Sequence, residues 1–184
     1  MKLRIVNFKD WQTEKGVIYA HSEKTYPVTI DQDIRLKTLM KSCRFKETLR
    51  GMNGSFLSEQ AIPLQAEYSL LRFDHEISGR RAQRFFANIQ RVPATLRELL
   101  CFFLSLPSLR PLQHDAIALS SRWYDGEYKR ICIPFVNTRW KLRLTIGEGC
   151  YTNQDVFLMR GKEEIRHSPT SATDLLYQNE SESE

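Results

Sequence analysis

Long apolar runs are missing from this 184-residue chain. None reaches the roughly 18 residues that a membrane-spanning helix requires, and the N-terminus, Met1-Lys2-Leu3-Arg4-Ile5-Val6-Asn7-Phe8-Lys9-Asp10, meets charge too often for a signal peptide. A soluble, cytoplasmic protein without membrane contact is the expectation. Metal-ligand spacings are missing as well. Cys43, Cys101, Cys132 and Cys150 include no Cys-x-x-Cys, and no histidine stands close to another histidine or to a cysteine, which argues against zinc. Cys101 in an apolar segment and Cys132 in a strand-like one read as buried reduced thiols, with a catalytic thiol as the alternative. Nucleotide-phosphate loops are absent too: Gly147-Glu148-Gly149 puts an acid between its glycines and reads as a turn. Neither a cofactor nor a metal is expected.

What the chain does carry is charge of uneven distribution. Its hydrophobic fraction of 41% and charged fraction of 27% are those of an ordinary globular protein, and its length suits one domain with a tail. From residue 163 to the end, Glu163, Glu164, Asp174, Glu180, Glu182 and Glu184 stand against Arg166 alone, a charge of −5, which leaves +10 on residues 1–162 given the whole-chain +5. A body of that charge attracts polyanions, of which nucleic acid is the commonest. The polar composition after Ser168 predicts a flexible tail, whose tethered acids either compete with polyanions for the basic body or serve solubility alone.

Periodicity predicts an α+β domain over residues 1–162, an antiparallel β-meander packed against two or three helices. Leu3, Ile5, Val6 and Phe8, then 16–20 and 26–30, read as short strands. Asp31 or Asp33 caps a helix running to about Arg50, stopped by Gly51, Asn53 and Gly54. Its apolar stripe of Leu36, Leu39, Met40 and Cys43 runs beside a basic stripe of Lys37, Lys41 and Arg44. Residues 66–73 are ambiguous between strand and helix. Ser78 begins a second helix, with Ala82, Phe85, Phe86 and Ile89 on one side and Arg80, Arg81, Arg84, Asn88 and Arg91 on the other. Pro93 fits the first turn of a third, apolar nearly all round from Leu96 to Leu106, which is either core or a partner's contact. From Asp115 the period becomes two. Residues 116–124 run into Asp125-Gly126, a type I′ turn signal, and 127–136 return. Trp140, Leu142, Leu144 and Ile146 then alternate with Arg139, Lys141 and Arg143, and 156–160 is the last strand.

Arginines one helical turn apart follow successive phosphates with bidentate contacts, so Arg80, Arg81, Arg84 and Arg91 are the first nucleic-acid-binding candidates. A solvated helix face explains them equally. The Lys37, Lys41, Arg44 stripe and the Arg139, Lys141, Arg143 row are the supporting candidates, and the row also suits protection of a sheet edge. Trp123 or Tyr128 supplies a stacking platform for an unpaired base, whereas Trp140 belongs to the core by its parity. Asp115 with Glu127-Tyr128-Lys129 resembles a metal-nuclease signature, but a hairpin turned at Asp125-Gly126 holds the two acids at opposite ends of a strand. The predicted function is that of a nucleic-acid-binding, foremost RNA-binding, accessory or regulatory protein without catalytic activity. Its alternatives are a protein-interaction module that meets an acidic protein through the basic faces and Phe102 and Phe103, or a metal-independent ribonuclease using His21-Ser22-Glu23-Lys24 or His75.

Overall fold

The computed structural model describes residues 6–45, 55–57, 62–109, 113–125, 130–146 and 149–161. In chain order these form β1 (Gln12–Glu14), β2 (Val17–His21), β3 (Tyr26–Thr29), α1 (Leu36–Ser42), β4 (Ser55–Leu57), β5 (Gln65–Phe73), β6 (Ile77–Ser78), α2 (Gly79–Asn88), β7 (Val92–Pro93), α3 (Leu96–Ser105), β8 (Asp115–Ile117), β9 (Arg122–Asp125), β10 (Arg130–Val136), β11 (Leu142–Ile146), β12 (Cys150–Tyr151) and β13 (Asp155–Arg160). The acidic segment, the Gly51–Gly54 stop, Glu127 and Tyr128 lie outside the described residues.

Eleven strands make one mixed, mostly antiparallel sheet, with β1-β2-β5-β13-β8-β10-β9-β4 as its main path and β3, β7 and β11 beside β5, β13 and β10. It is larger than the expected meander because the N-terminal strands join it: β2 and β3 both pair with β5, which pairs in turn with β13. The run Val156-Phe157-Leu158-Met159, buried throughout, explains why β13 lies inside the sheet between β5 and a parallel β8. A strand covered on both faces has no solvent side to alternate toward. Val156 and Leu158 enter the cluster built on Leu39 of α1 and Leu99, Phe102 and Phe103 of α3, whereas Phe157 and Met159 join Ala82, Phe85 and Phe86 of α2. Helices therefore cover both faces. The same burial makes Phe102 and Phe103 core residues, which removes the apolar contact surface expected of a partner-binding α3. Cys43, Cys101 and Cys132 are buried free thiols and Cys150 is exposed.

Local chemistry moved several boundaries. Asp31 Oδ1 accepts from the N–H groups of Asp33 and Ile34 at 3.0 and 3.1 Å, an Asx-turn ahead of α1 rather than its cap. The helix ends at Ser42, where Arg44 takes φ 51°, well before Arg50. Pro93 belongs to β7, and α3 starts later, at a capping box in which Glu98 N–H donates to Thr95 Oγ1 at 3.3 Å and Thr95 N–H to Glu98 Oε2 at 2.7 Å. The strand expected over 116–124 breaks at Ser120-Ser121, since Ser120 Oγ donates to Pro93 O and Ser121 Oγ accepts from Leu96 N–H at 2.6 Å. Trp140 is a turn residue with φ 60°, held by Asn137 Oδ1 through the N–H groups of Arg139 and Lys141, so β11 begins at Leu142. The two-residue turn expected at Asp125-Gly126 is found in another hairpin. Asp125 pairs with Arg130, leaving 126–129 between strands, whereas Glu14 pairs with Val17 around Lys15 and Gly16, whose φ values of 48° and 73° are both positive.

Asp115 and Asp155 are register partners across the parallel β8–β13 pair. Burial pushes both carboxyls up from the ordinary carboxylate range, and the Asp115 charge raises Asp155 further, against the hydrogen bonds from Thr138 and Thr152 that favour the ions. Folded carboxyls with raised pKa take up protons on folding, so their stabilising contribution is lost as pH rises above the unfolded value. Asp155→Asn keeps an acceptor for Thr152 and removes one charge. At pH 7 it should raise stability by about 0.2–1 kcal/mol, the scale of a cross-strand charge pair, with the gain vanishing below about pH 4. Urea melts of both proteins across that range check this; a constant difference would show that the pair does not titrate on folding.

Candidate nucleic-acid interface

Ser78 Oγ accepts from Arg81 N–H at 3.3 Å and sets the start of α2. From there Gly79, Ala82, Phe85 and Phe86 are buried on the sheet, while Arg80, Arg81 and Arg84 are exposed and no acid occurs in the helix. Arg81 Nη2 donates to Gly16 O at 3.1 Å, tying the basic face to the β1–β2 turn. Arg91 is not on the helix. α2 closes in a Schellman motif in which Gln90 N–H donates to Ala87 O at 3.2 Å and Arg91 N–H to Phe86 O at 3.0 Å. Gln90 holds φ 52°, a conformation that usually selects glycine. Arg91, half-buried, follows that turn.

A cleft of about 260 Å³ opens there, lined by Glu14, Tyr19 and His21 of the hairpin and by Asn88, Ile89, Gln90 and Arg91. Tyr19 packs edge-on against Phe85 at 4.8 Å and His21 at 5.2 Å. Burial raises the Tyr19 hydroxyl's pKa, and the Glu14 carboxylate that accepts its hydrogen bond raises it further. His21 Nε2 lies 3.2 Å from Gln12 Oε1, so it carries the proton, and Nδ1 is buried with no partner. Burial lowers the His21 pKa, and the cations of Lys9 and Arg91 lower it further, so the ring is neutral at pH 7.

The other predicted cations are elsewhere. Lys37 and Lys41 are exposed on α1 and Arg44 is exposed just past its end; Leu39 and Cys43 pack on the sheet face opposite α2. Trp140 Nε1 donates to Cys43 O at 3.2 Å and its ring lies 4.9 Å from those of Phe45 and Phe103. That contact brings the turn bearing exposed Arg139 and half-buried Lys141 against the end of α1. Arg143 is the register partner of Phe135, which packs on the α2-side cluster, so Arg143 is on the α2 face of the sheet. Trp123 is buried and offers no stacking platform, whereas Tyr124 is exposed.

The ribonuclease candidates do not assemble. His21 and Ser22 point to opposite faces of β2, and Ser22 Oγ donates to Lys24 O at 2.7 Å while accepting from Leu70 N–H at 3.1 Å. His75 pairs with its neighbour Asp74. Buried His114, unremarked in the sequence, contacts Gln113 and Gln154 O. Among the described residues no group of acids, histidines and cysteines is placed to hold a metal ion, and no helix is long and apolar enough to cross a membrane. Glu14, Tyr19 and Gln90 carry no sequence signal of this cleft, since residues of a hairpin share no spacing with the end of a distant helix. Comparison with protein-family models, curated proteins and solved structures finds no match for the chain.

Proposed function

We propose that this protein is a nucleic-acid-binding accessory or regulatory factor that grips the phosphate backbone of an RNA strand along α2. The observation that carries this reading is the exposed Arg80, Arg81 and Arg84 face, free of acids, running toward the cleft that contains Arg91. Guanidinium groups offer five donors in a fixed fork, and successive turns of α2 offer them about every 5.4 Å. A helix whose role was solubility alone would gain from mixed charges at i,i+4, which α2 lacks.

The test is a salt titration of the full chain against labelled single-stranded RNA, single-stranded DNA and duplex. Affinity should fall linearly on a log–log plot with a slope of about −0.7 per phosphate engaged on a single strand. Absence of binding to all three at 20 to 50 mM salt, about where such contacts are strongest, would refute the reading.

A further inference from the structure

We propose that the cleft between the β1–β2 hairpin and the end of α2 binds one unpaired guanine nucleotide, with the base edge on Glu14 and the phosphate at Arg91. The inference rests on the proposed grip along α2 and names the nucleotide that the adjoining cleft accepts. Continuity comes first. Asn88, a cleft residue, stands four residues and about 6 Å beyond Arg84 along the helix, so a strand tracking the arginines arrives at the cleft.

Charge then selects the ligand. A bare phosphate satisfies Arg91 but meets the carboxylate of Glu14 in the same cleft, and like charges at contact repel. A ligand with an anion at one end and N–H donors at the other satisfies both. Ionised glutamate only accepts hydrogen bonds. Guanine sets two donors, N1–H and N2–H, side by side on its Watson–Crick edge. Adenine and cytosine set one amino donor beside a bare ring nitrogen, which a carboxylate opposes, and uracil has a single N–H. Unpaired bases are read on that edge.

The supporting parts are placed for this task. The Glu14 carboxylate is near enough to the Tyr19 hydroxyl to raise its pKa, and the Tyr19 ring is wedged against Phe85 at 4.8 Å, so one wall of the cleft is a packed ring. The half-buried His21 ring supplies a flat wall for stacking. Asn88 and Gln90 bring amides that both donate and accept. Glycine suits the backbone at Gln90 better, and the chain nevertheless keeps a side chain there, at the rim of the cleft. The cleft, of about 260 Å³, is on the scale of a single nucleotide.

The experiment has two arms. The isotope-labelled full chain is titrated with GMP, AMP, CMP, UMP and inorganic phosphate, following the His21 ring and the Asn88 and Gln90 side-chain amides by NMR. GMP should move these signals and bind about tenfold tighter than the other nucleotides, the scale of one good base-edge pair. In the second arm, oligouridine with one central guanine should bind about tenfold tighter than the same strand with adenine, and in Glu14→Gln that ratio should fall close to one while the melting temperature is kept. Equal response to all nucleotides, an equal response to phosphate alone, or a guanine preference that survives Glu14→Gln would overturn the inference. Salt-dependent oligouridine binding without guanine preference would sink the cleft and leave the α2 grip standing. Specific GMP binding without oligonucleotide binding would support the cleft and sink the grip.

Discussion

Replacing Glu98 by alanine is expected to lower stability by about 3–5 kcal/mol, the cost of breaking a buried ion pair from one side. Glu98 is 0% exposed in α3. Its Oε1 accepts from the Tyr68 hydroxyl at 2.6 Å and from Arg160 Nε at 2.9 Å, and its Oε2 from Thr95 N–H at 2.7 Å. One carboxylate thus joins the start of α3 to β5 and β13, the two central strands. Truncation takes the Glu98 carboxylate away from the Arg160 guanidinium, whose side chain is only 5% exposed, and from the Tyr68 hydroxyl that donates to it. Burial, the largest cause of the raised Tyr68 pKa, persists when Glu98 is gone, so tyrosinate provides no escape. Against a typical total of about 5–15 kcal/mol, such a loss is severe. The double variant Glu98→Leu with Arg160→Met should recover most of it, because exchanging a whole buried pair for apolar volume is often neutral or better. Urea midpoints of the three proteins decide the matter: a single-variant loss under about 1 kcal/mol would mean that water reaches the pair.

This cluster also shows where the sequence was readable and where it was not. Thr95-x-x-Glu98 is a capping-box signature, yet Pro93 two residues earlier is an equally good start signal, and pairing of Val92 and Pro93 with β13 decided between them. Local strands in 16–20 and 26–30 were legible because their alternation is short-range. Their membership in one sheet with 155–160 was not, since β2, β3 and β13 meet only through β5, a segment whose periodicity fits two structures. Asp125-Gly126 carried the stronger turn signal and Lys15-Gly16 the weaker, but only the second pair has a two-residue register.

The candidate site was legible in its helical half. Burial of Ala82, Phe85 and Phe86 with exposure of Arg80, Arg81 and Arg84 follows from a 3.6-residue period alone. Extending the same period to Arg91 overshot, because the Schellman turn at Gln90 ends the helix at Asn88. The hairpin half was illegible for a different reason. Glu14, Tyr19 and His21 reach α2 only because the sheet pairs β2 with β5 and buries Tyr19 against Phe85.

The triple variant Arg80→Ala, Arg81→Ala, Arg84→Ala is expected to weaken binding to single-stranded RNA by about 100-fold at 0.1 M salt, if each arginine engages one phosphate. Each contact on a single strand contributes about 0.7 to the log–log salt slope, so three lost contacts flatten it by about 2 and cost about two decades of affinity relative to 1 M salt. The fold should survive. All three side chains are exposed, alanine has the higher helix propensity, and the Arg81 bond to Gly16 O is at the surface, where its loss costs well under about 1.5 kcal/mol. As a control, Lys37→Ala with Lys41→Ala and Arg44→Ala removes the same charge from α1 and the turn that follows it, on the opposite face of the sheet. Long-range attraction depends on total charge and is screened within about 10 Å at 0.1 M salt, so the two variants separate contact from net charge. A large loss for the α2 variant and a small one for the α1 variant places the strand on α2. Equal losses would show that binding follows overall charge, and an unchanged affinity in the α2 variant would remove that helix from the interface.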